Sequence, residues 1–270
     1  MSERIQKVLA RAGFGSRREL EAKIRAGRVS VNGVVASLGA RVGPDDVVRI
    51  DGERVRLSKL PPPRRRVLLY YKPEGEVTSR GDPAGRPTVF EALPRPAHGR
   101  WVAVGRLDVN TTGLLLFTTD GELAHRLMHP SAGIEREYAI RVRGTIAEDS
   151  RQRLLAGVEL ADGMARFESL EPAGGEGENH WYKGVLKEGR NREVRRLMDS
   201  QGLIVSRLIR VRFGSVVLPR DLGRGRWREL SPVQVDAVAG AVGLGPDARR
   251  RPRSKAARGR GPRGRRRRRG

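Results

Sequence analysis

Two arrangements in this 270-residue sequence could do chemistry. His125 and His129 stand at i, i+4, a spacing that grips a divalent metal from one helix face. A metal centre needs further ligands. The sequence has no cysteine, no glutamate follows His125 in the zincin pattern, and no third ligand is in view, so no metal site is expected. The second arrangement is Gly105-Arg-Leu-Asp-Val-Asn-Thr-Thr-Gly-Leu-Leu-Leu-Phe-Thr-Thr-Asp-Gly121. It places Asp108 on a loop between two strand-like runs, Trp101–Val104 and Leu114–Thr118, where functional groups are commonly presented. A held carboxylate there can serve as a nucleophile. A loop aspartate is more often a turn residue, so Asp108 by itself does not decide. No Walker-type loop and no Gly-x-Ser-x-Gly elbow appears, so neither a nucleotide cofactor nor a serine nucleophile is expected.

Charge narrows the partner. The formal net charge is +24, with 48 Arg against 7 Lys. Arg249 to Gly270 holds 13 basic residues and no acidic one, and the remainder carries 42 basic and 31 acidic groups. The body is therefore basic without its tail, which points to a polyanion. No apolar run approaches a membrane span, and Met-Ser-Glu-Arg-Ile-Gln-Lys-Val-Leu-Ala-Arg-Ala-Gly lacks the apolar core of a signal peptide. The expectation is a cytoplasmic protein bound to nucleic acid, monomeric because a basic surface repels itself.

Elements follow from spacing. Ile5, Val8 and Leu9 fall at helical intervals up to Gly13. Ser16-Arg-Arg-Glu19 is a capping box opening a second helix with Leu20 and Ile24 inward and Gly27 at its end. Asn32-Gly33 between valines predicts a type I′ hairpin, and Val47–Ile50 another strand. The second helix carries Arg17, Arg18, Lys23 and Arg25, a nearly one-signed face suited to phosphates. Ser58-Lys-Leu-Pro-Pro-Pro-Arg-Arg-Arg66 reads as a stiff spacer.

Beyond it, strands are expected at Val67–Tyr71, Trp101–Val104, Leu114–Thr118, Tyr138–Val142, Trp181–Leu186 and Leu208–Phe213. Helices are expected at Glu122–Met128, Asn191–Ser200 and Pro232–Val242. The absence of a βαβ rhythm predicts an α+β fold with a largely antiparallel or mixed sheet. Ala173-Gly-Gly-Glu-Gly-Glu178 reads as a flexible acidic loop, and the Arg/Gly/Pro-rich chain from Pro246 as disordered.

The segment RIQKVLARAGFGSRRELEAKIRAGRVSVNG resembles an S4-type RNA-binding domain. GRLDVNTTGLLLFTTDGEL is similar to the catalytic motif of pseudouridine synthases, in the branch that joins an S4 domain to the catalytic domain. Tyr71-Lys-Pro-Glu-Gly75, Arg136-Glu-Tyr138 and Glu188-Gly-Arg-Asn-Arg-Glu-Val-Arg-Arg-Leu197 match further family motifs in order. The resemblance implies isomerisation of uridine in ribosomal RNA, without cofactor, and the finer matches favour the large-subunit RNA. The same reaction on small-subunit RNA, and a non-catalytic assembly factor, are the alternatives.

It also implies roles. Asp108 would be the nucleophile, Arg195 the basic residue paired with it, and Tyr138 the aromatic against the base. Arg106, Arg192 and, less strongly, Lys72 would contact substrate or RNA, with Arg17, Arg18, Lys23 and Arg25 contacting RNA from the first module. Attack at C1′, attack at C6 and elimination at C2′ stay open. The expected division is 1–60 for the S4-type domain, 61–66 for the linker, 67–245 for the catalytic domain and 246–270 for the tail.

Overall fold

Hydrophobic spacing and caps build a small N-terminal module first. The computed structural model describes residues 2–55, 64–97 and 99–247. Strand β1 (Glu3–Arg4) leads into α1 (Ile5–Arg11), and α2 (Arg17–Arg25) follows. The Ser16 hydroxyl accepts from the Glu19 amide while the Glu19 carboxylate accepts from the Ser16 amide, closing the capping box. Strands β2 (Val29–Val31) and β3 (Val34–Val35) form the expected hairpin, with Asn32 and Gly33 at φ 52° and 86°. β5 (Val48–Ile50) and β6 (Glu53–Val55) extend this sheet, and β4 (Arg41–Val42) pairs with β1. Ile5, Leu9, Leu20, Ile24, Val29 and Val48 form a core of their own.

The second unit is built on one mixed sheet. Its strands are β7 (Val67–Lys72), β8 (Val102–Val104), β9 (Thr112–Thr118), β10 (Arg136–Arg143), β13 (Ser169–Glu176), β14 (Asn179–Leu186), β15 (Val205–Phe213), β16 (Val216–Val217) and β17 (Trp227–Glu229). Their order is β13-β14-β10-β15-β9-β7-β17, with β8 on β9 and β16 on β15. The β9–β15 pairing is parallel and the others are antiparallel, which agrees with the α+β reading. Helices α3 (Gly121–Met128) and α6 (Pro232–Gly240) pack one apolar cluster around Leu114, Leu116 and Leu127. Helices α4 (Glu148–Ala156) and α5 (Glu193–Asp199) pack another around Ile140, Phe167 and Leu197. A hairpin of β11 (Val158–Leu160) and β12 (Gly163–Ala165) lies beside α5.

Where β9 meets β15, Gly113 is obligatory. Its φ is 109°, and a Cβ there would fall 2.3 Å from the Arg210 carbonyl oxygen.

Some expectations are corrected. The acidic stretch Ala173–Glu178 is not simply a loop: residues 173–176 belong to β13, where a bulge takes up Ala173 and Gly174, and Gly175 and Glu176 pair with β14. Its glycines mark that bulge and the turn, and pairing overrides composition. The α4 helix and the β11–β12 hairpin were not anticipated, because neither shows a clean apolar period. The Pro-rich spacer, apart from residues 64–66, and the tail expected to be disordered, apart from residues 246–247, lie outside the described residues.

Candidate active site

Asp108 owes its position to Leu107. The Leu107 side chain is buried with Val89, Trp101, Leu115 and Phe117, so the half-buried carboxylate next in sequence faces a cleft of about 1060 Å³. Arg106, Arg136, Tyr138, Arg192 and Arg210 line that cleft with it.

The loop around Asp108 is tied down nearly atom by atom. Thr78 Oγ1 donates to the Leu107 carbonyl at 3.0 Å and accepts from the Leu107 amide at 3.3 Å. The Gly75 amide donates to the Val109 carbonyl at 2.9 Å. Lys72 Nζ donates to the carbonyls of Thr111, Val109 and Pro73 at 3.0, 3.4 and 2.9 Å. Arg195 Nη2 donates to the Asn110 carbonyl at 3.1 Å, and its Nη1 to the Val205 carbonyl at 2.9 Å. The Thr111 amide closes the turn on the Asp108 carbonyl. Among the described residues, no hydrogen bond or ion pair reaches the Asp108 carboxylate itself. A carboxylate left free on a braced loop is oriented for a reacting group rather than consumed by the fold.

Two cations bias it from behind. Lys72 is fully buried. Burial draws its ammonium down to about 8, with Glu76 and Asp108 opposing. The Glu76 carboxylate is itself held by the Tyr70 hydroxyl at 2.7 Å. Burial also draws the Arg195 guanidinium below its ordinary value; Arg192 adds to this and Asp108 opposes it. Both cations therefore feel Asp108 electrostatically without bonding to it.

Tyr138 is on β10, one of the cleft walls, and Arg106 and Arg192 are exposed at its lining. Arg195 reaches the Asp108 loop through the Asn110 backbone, not through a direct pair. Lys72 does not fit an RNA contact: with no exposed surface and three carbonyl partners, it braces the loop from inside. In the N-terminal module Arg17, Arg18 and Arg25 are exposed, and Arg17 lines a cavity of about 380 Å³ with Lys7, Arg11 and Arg100. Lys23 is engaged with Asp51 at 3.0 Å, a carboxylate it shares with Arg28. His129 caps the turn Pro130–Ala132, its Nδ1 2.8 Å from Ser131 Oγ. No group of three His, Cys, Asp or Glu side chains is placed to hold a metal among the described residues. No helix there is long and apolar enough to cross a membrane.

Sequence reasoning missed Thr78, Arg136 and Arg210. Arg136 was legible, being two residues before Tyr138 and so on the same strand face. Arg210 carried a fainter signal, an arginine at a position where strand alternation calls for an inward residue.

A family model described as RNA pseudouridylate synthase matches residues 66–200. The chain belongs to the RNA pseudouridylate synthase family. An S4 domain model matches residues 3–48. Curated relatives of this chain carry the name ribosomal large subunit pseudouridine synthase B. That of Vibrio cholerae is 60% identical over 92% of this chain and 77% of its own length. That of Escherichia coli strain K12 is 57% identical over 92% and 86%. That of Pseudomonas aeruginosa is 59% identical, and this chain spans 64% of its length. A crystal structure of a pseudouridylate synthase superposes with a TM-score of 0.62 at 26% identity, covering 87% of this chain and 99% of that chain.

Proposed function

We propose that this chain isomerises uridine to pseudouridine in large-subunit ribosomal RNA, with Asp108 as nucleophile. The observation that carries the assignment is the free Asp108 carboxylate, presented to a basic-walled cleft by a loop whose other polar groups are engaged. The large-subunit target follows from the names of the relatives.

In the reaction the C1′–N1 bond breaks, the uracil turns, and a C1′–C5 bond forms. The C5 proton is lost and N1 gains one, so no cofactor is required for balance. Asp108 attacks, while Lys72 and Arg195 keep its carboxylate charged and aligned. Tyr138, in the cleft lining, stacks on the base and takes the C5 proton in this reading. Because the target atoms are unreachable within a stacked helix, the uridine must be flipped into the cleft. Arg106 and Arg192 hold the flipped strand at the rim. The S4-type domain, over about residues 1–60, adds RNA affinity through Arg17, Arg18 and Arg25, and the catalytic domain occupies 67–245. The basic tail from 246 adds sequence-independent affinity. The protein acts as a cytoplasmic monomer.

The test uses separate large- and small-subunit RNA transcripts, wild type and Asp108→Asn, and chemical mapping of pseudouridine. The wild type is expected to modify the large-subunit transcript. The variant is expected to bind it with unchanged affinity and form no product. Product from the variant would remove Asp108 from the mechanism, and modification of the small-subunit transcript alone would overturn the choice of RNA.

A further inference from the structure

Arg136 and Arg210 are an unusual pair of cations. Both are buried, at 7% and 3% exposure. Their Cζ atoms stand over the same Phe213 ring, 5.2 and 5.4 Å from its centroid. The β10–β15 register sets Arg136 against Phe213 and Tyr138 against Arg210, which puts all four on the cleft wall. The two guanidiniums repel, and no carboxylate lies within 4.0 Å of either among the described residues.

The nearby acids do not bond to the pair. Glu193 and Glu188 act on Arg136 only at a distance. Glu193 accepts from the Arg190 amide at 3.0 Å, and Glu188 pairs with the Arg190 side chain at 2.5 Å. Carbonyls satisfy part of the donor capacity. Arg136 Nη1 donates to Ile134 and Lys187, and Arg210 Nε to Leu114. Arg210 Nη2 is buried with no partner. A guanidinium has five N–H donors, so each keeps some in reserve.

Two adjacent buried cations without a counter-anion are costly, and the arrangement is completed by an anion. A neutral uracil ring would leave both charges uncompensated. The anion that RNA brings into the cleft is its phosphodiester, whose oxygens match a guanidinium fork. We propose that Arg136 and Arg210 together form a phosphate subsite for a phosphodiester flanking the flipped uridine. This rests on the isomerase reading and deepens it: the subsite ties catalysis to a polymer substrate and fixes the strand relative to Asp108.

The test is a scan of short RNA substrates, each with one neutral methylphosphonate within two nucleotides of the target. Binding and single-turnover isomerisation are measured for wild type, Arg210→Lys and Arg210→Met. One position is expected to weaken wild-type binding about tenfold or more, the loss of a charge-assisted contact. Arg210→Met is expected to bind the unmodified RNA correspondingly less well and to lose sensitivity at that position alone. Its slope of log affinity against log salt falls by about 0.7 to 0.9, and Arg210→Lys restores part of both effects. A flat scan in wild type that converts the unmodified RNA overturns the subsite while leaving the isomerase reading intact, and needs no variant to fold. A penalty undiminished in Arg210→Met overturns it equally. Absence of product from unmodified RNA would count against the isomerase reading itself.

Discussion

The Arg195 guanidinium donates to the carbonyl of Asn110, two residues past Asp108, at 3.1 Å. It thereby joins α5 to the Asp108 loop through the backbone and acts on the Asp108 carboxylate only through its field. Replacing it with methionine leaves the Asn110 and Val205 carbonyls without this donor. Stability is expected to fall by about 1–3 kcal/mol, measured by urea denaturation. Single-turnover rate should drop far more than RNA affinity, because positioning and charge at Asp108 are lost while the basic surface is kept.

Thr78 offers a cleaner test of loop bracing. Its hydroxyl both donates to and accepts from Leu107, and it makes no contribution to net charge. Thr78→Val keeps the shape and strands one N–H and one C=O. The expected result is a loss of about 1–3 kcal/mol with a lower kcat and a KM within twofold of wild type (about 0.4 kcal/mol). An unchanged kcat would show that Asp108 does not depend on this brace.

Lys72 gives a signed pH effect. Its folded value, about 8, lies below the ordinary 10.5. Below pH 8 both folded and unfolded chains carry the proton, and the fold bears the full cost of a buried cation. Between about 8 and 10.5 the unfolded chain stays protonated while the folded one does not, so stability rises with pH. The gain is on the order of 3 kcal/mol, at about 1.4 kcal/mol per unit. Denaturation of wild type against Lys72→Met across pH 7–10 should show the extra rise in wild type alone. Over the same window wild-type turnover should fall, because the neutral amine loses a donor to the loop carbonyls and the charge that acts on Asp108.

Gly113→Ala is expected to be the most damaging single methyl. The added carbon would meet the Arg210 backbone at 2.3–2.9 Å and sit at a φ of 109°, so β9 and β15 must part. A destabilisation of about 3–5 kcal/mol is expected, together with loss of activity under conditions where the variant remains folded by circular dichroism.

Local signals carried the parts of this molecule that local forces determine. The Ser16–Glu19 box and the Asn32-Gly33 turn appear where backbone satisfaction and φ preference put them. The sheet strands with strong apolar runs, such as Val67–Tyr71 and Leu114–Thr118, followed from burial. Asp108 itself was legible through its neighbours in sequence. What could not be read was long-range pairing. Residues 173–176 have a loop's composition and become strand because β14 supplies the ladder. Lys72 was expected, less strongly than Arg106, to contact substrate or RNA, and only the fold reveals three carbonyls converging on it. Strand alternation around Arg210 hints at an inward side chain, but that its strand forms the cleft wall is a long-range fact.

The parallel register of β9 with β15 carries a kinetic consequence. Thr112 Oγ1 meets the Leu208 carbonyl across 96 residues of chain. Contacts so distant in sequence form late, since a long loop must close before they contribute. A chain still leaving the ribosome thus displays Asp108 on its loop before the wall bearing Arg210 exists. The cleft around Asp108 is therefore complete only once β15 has seated against β9.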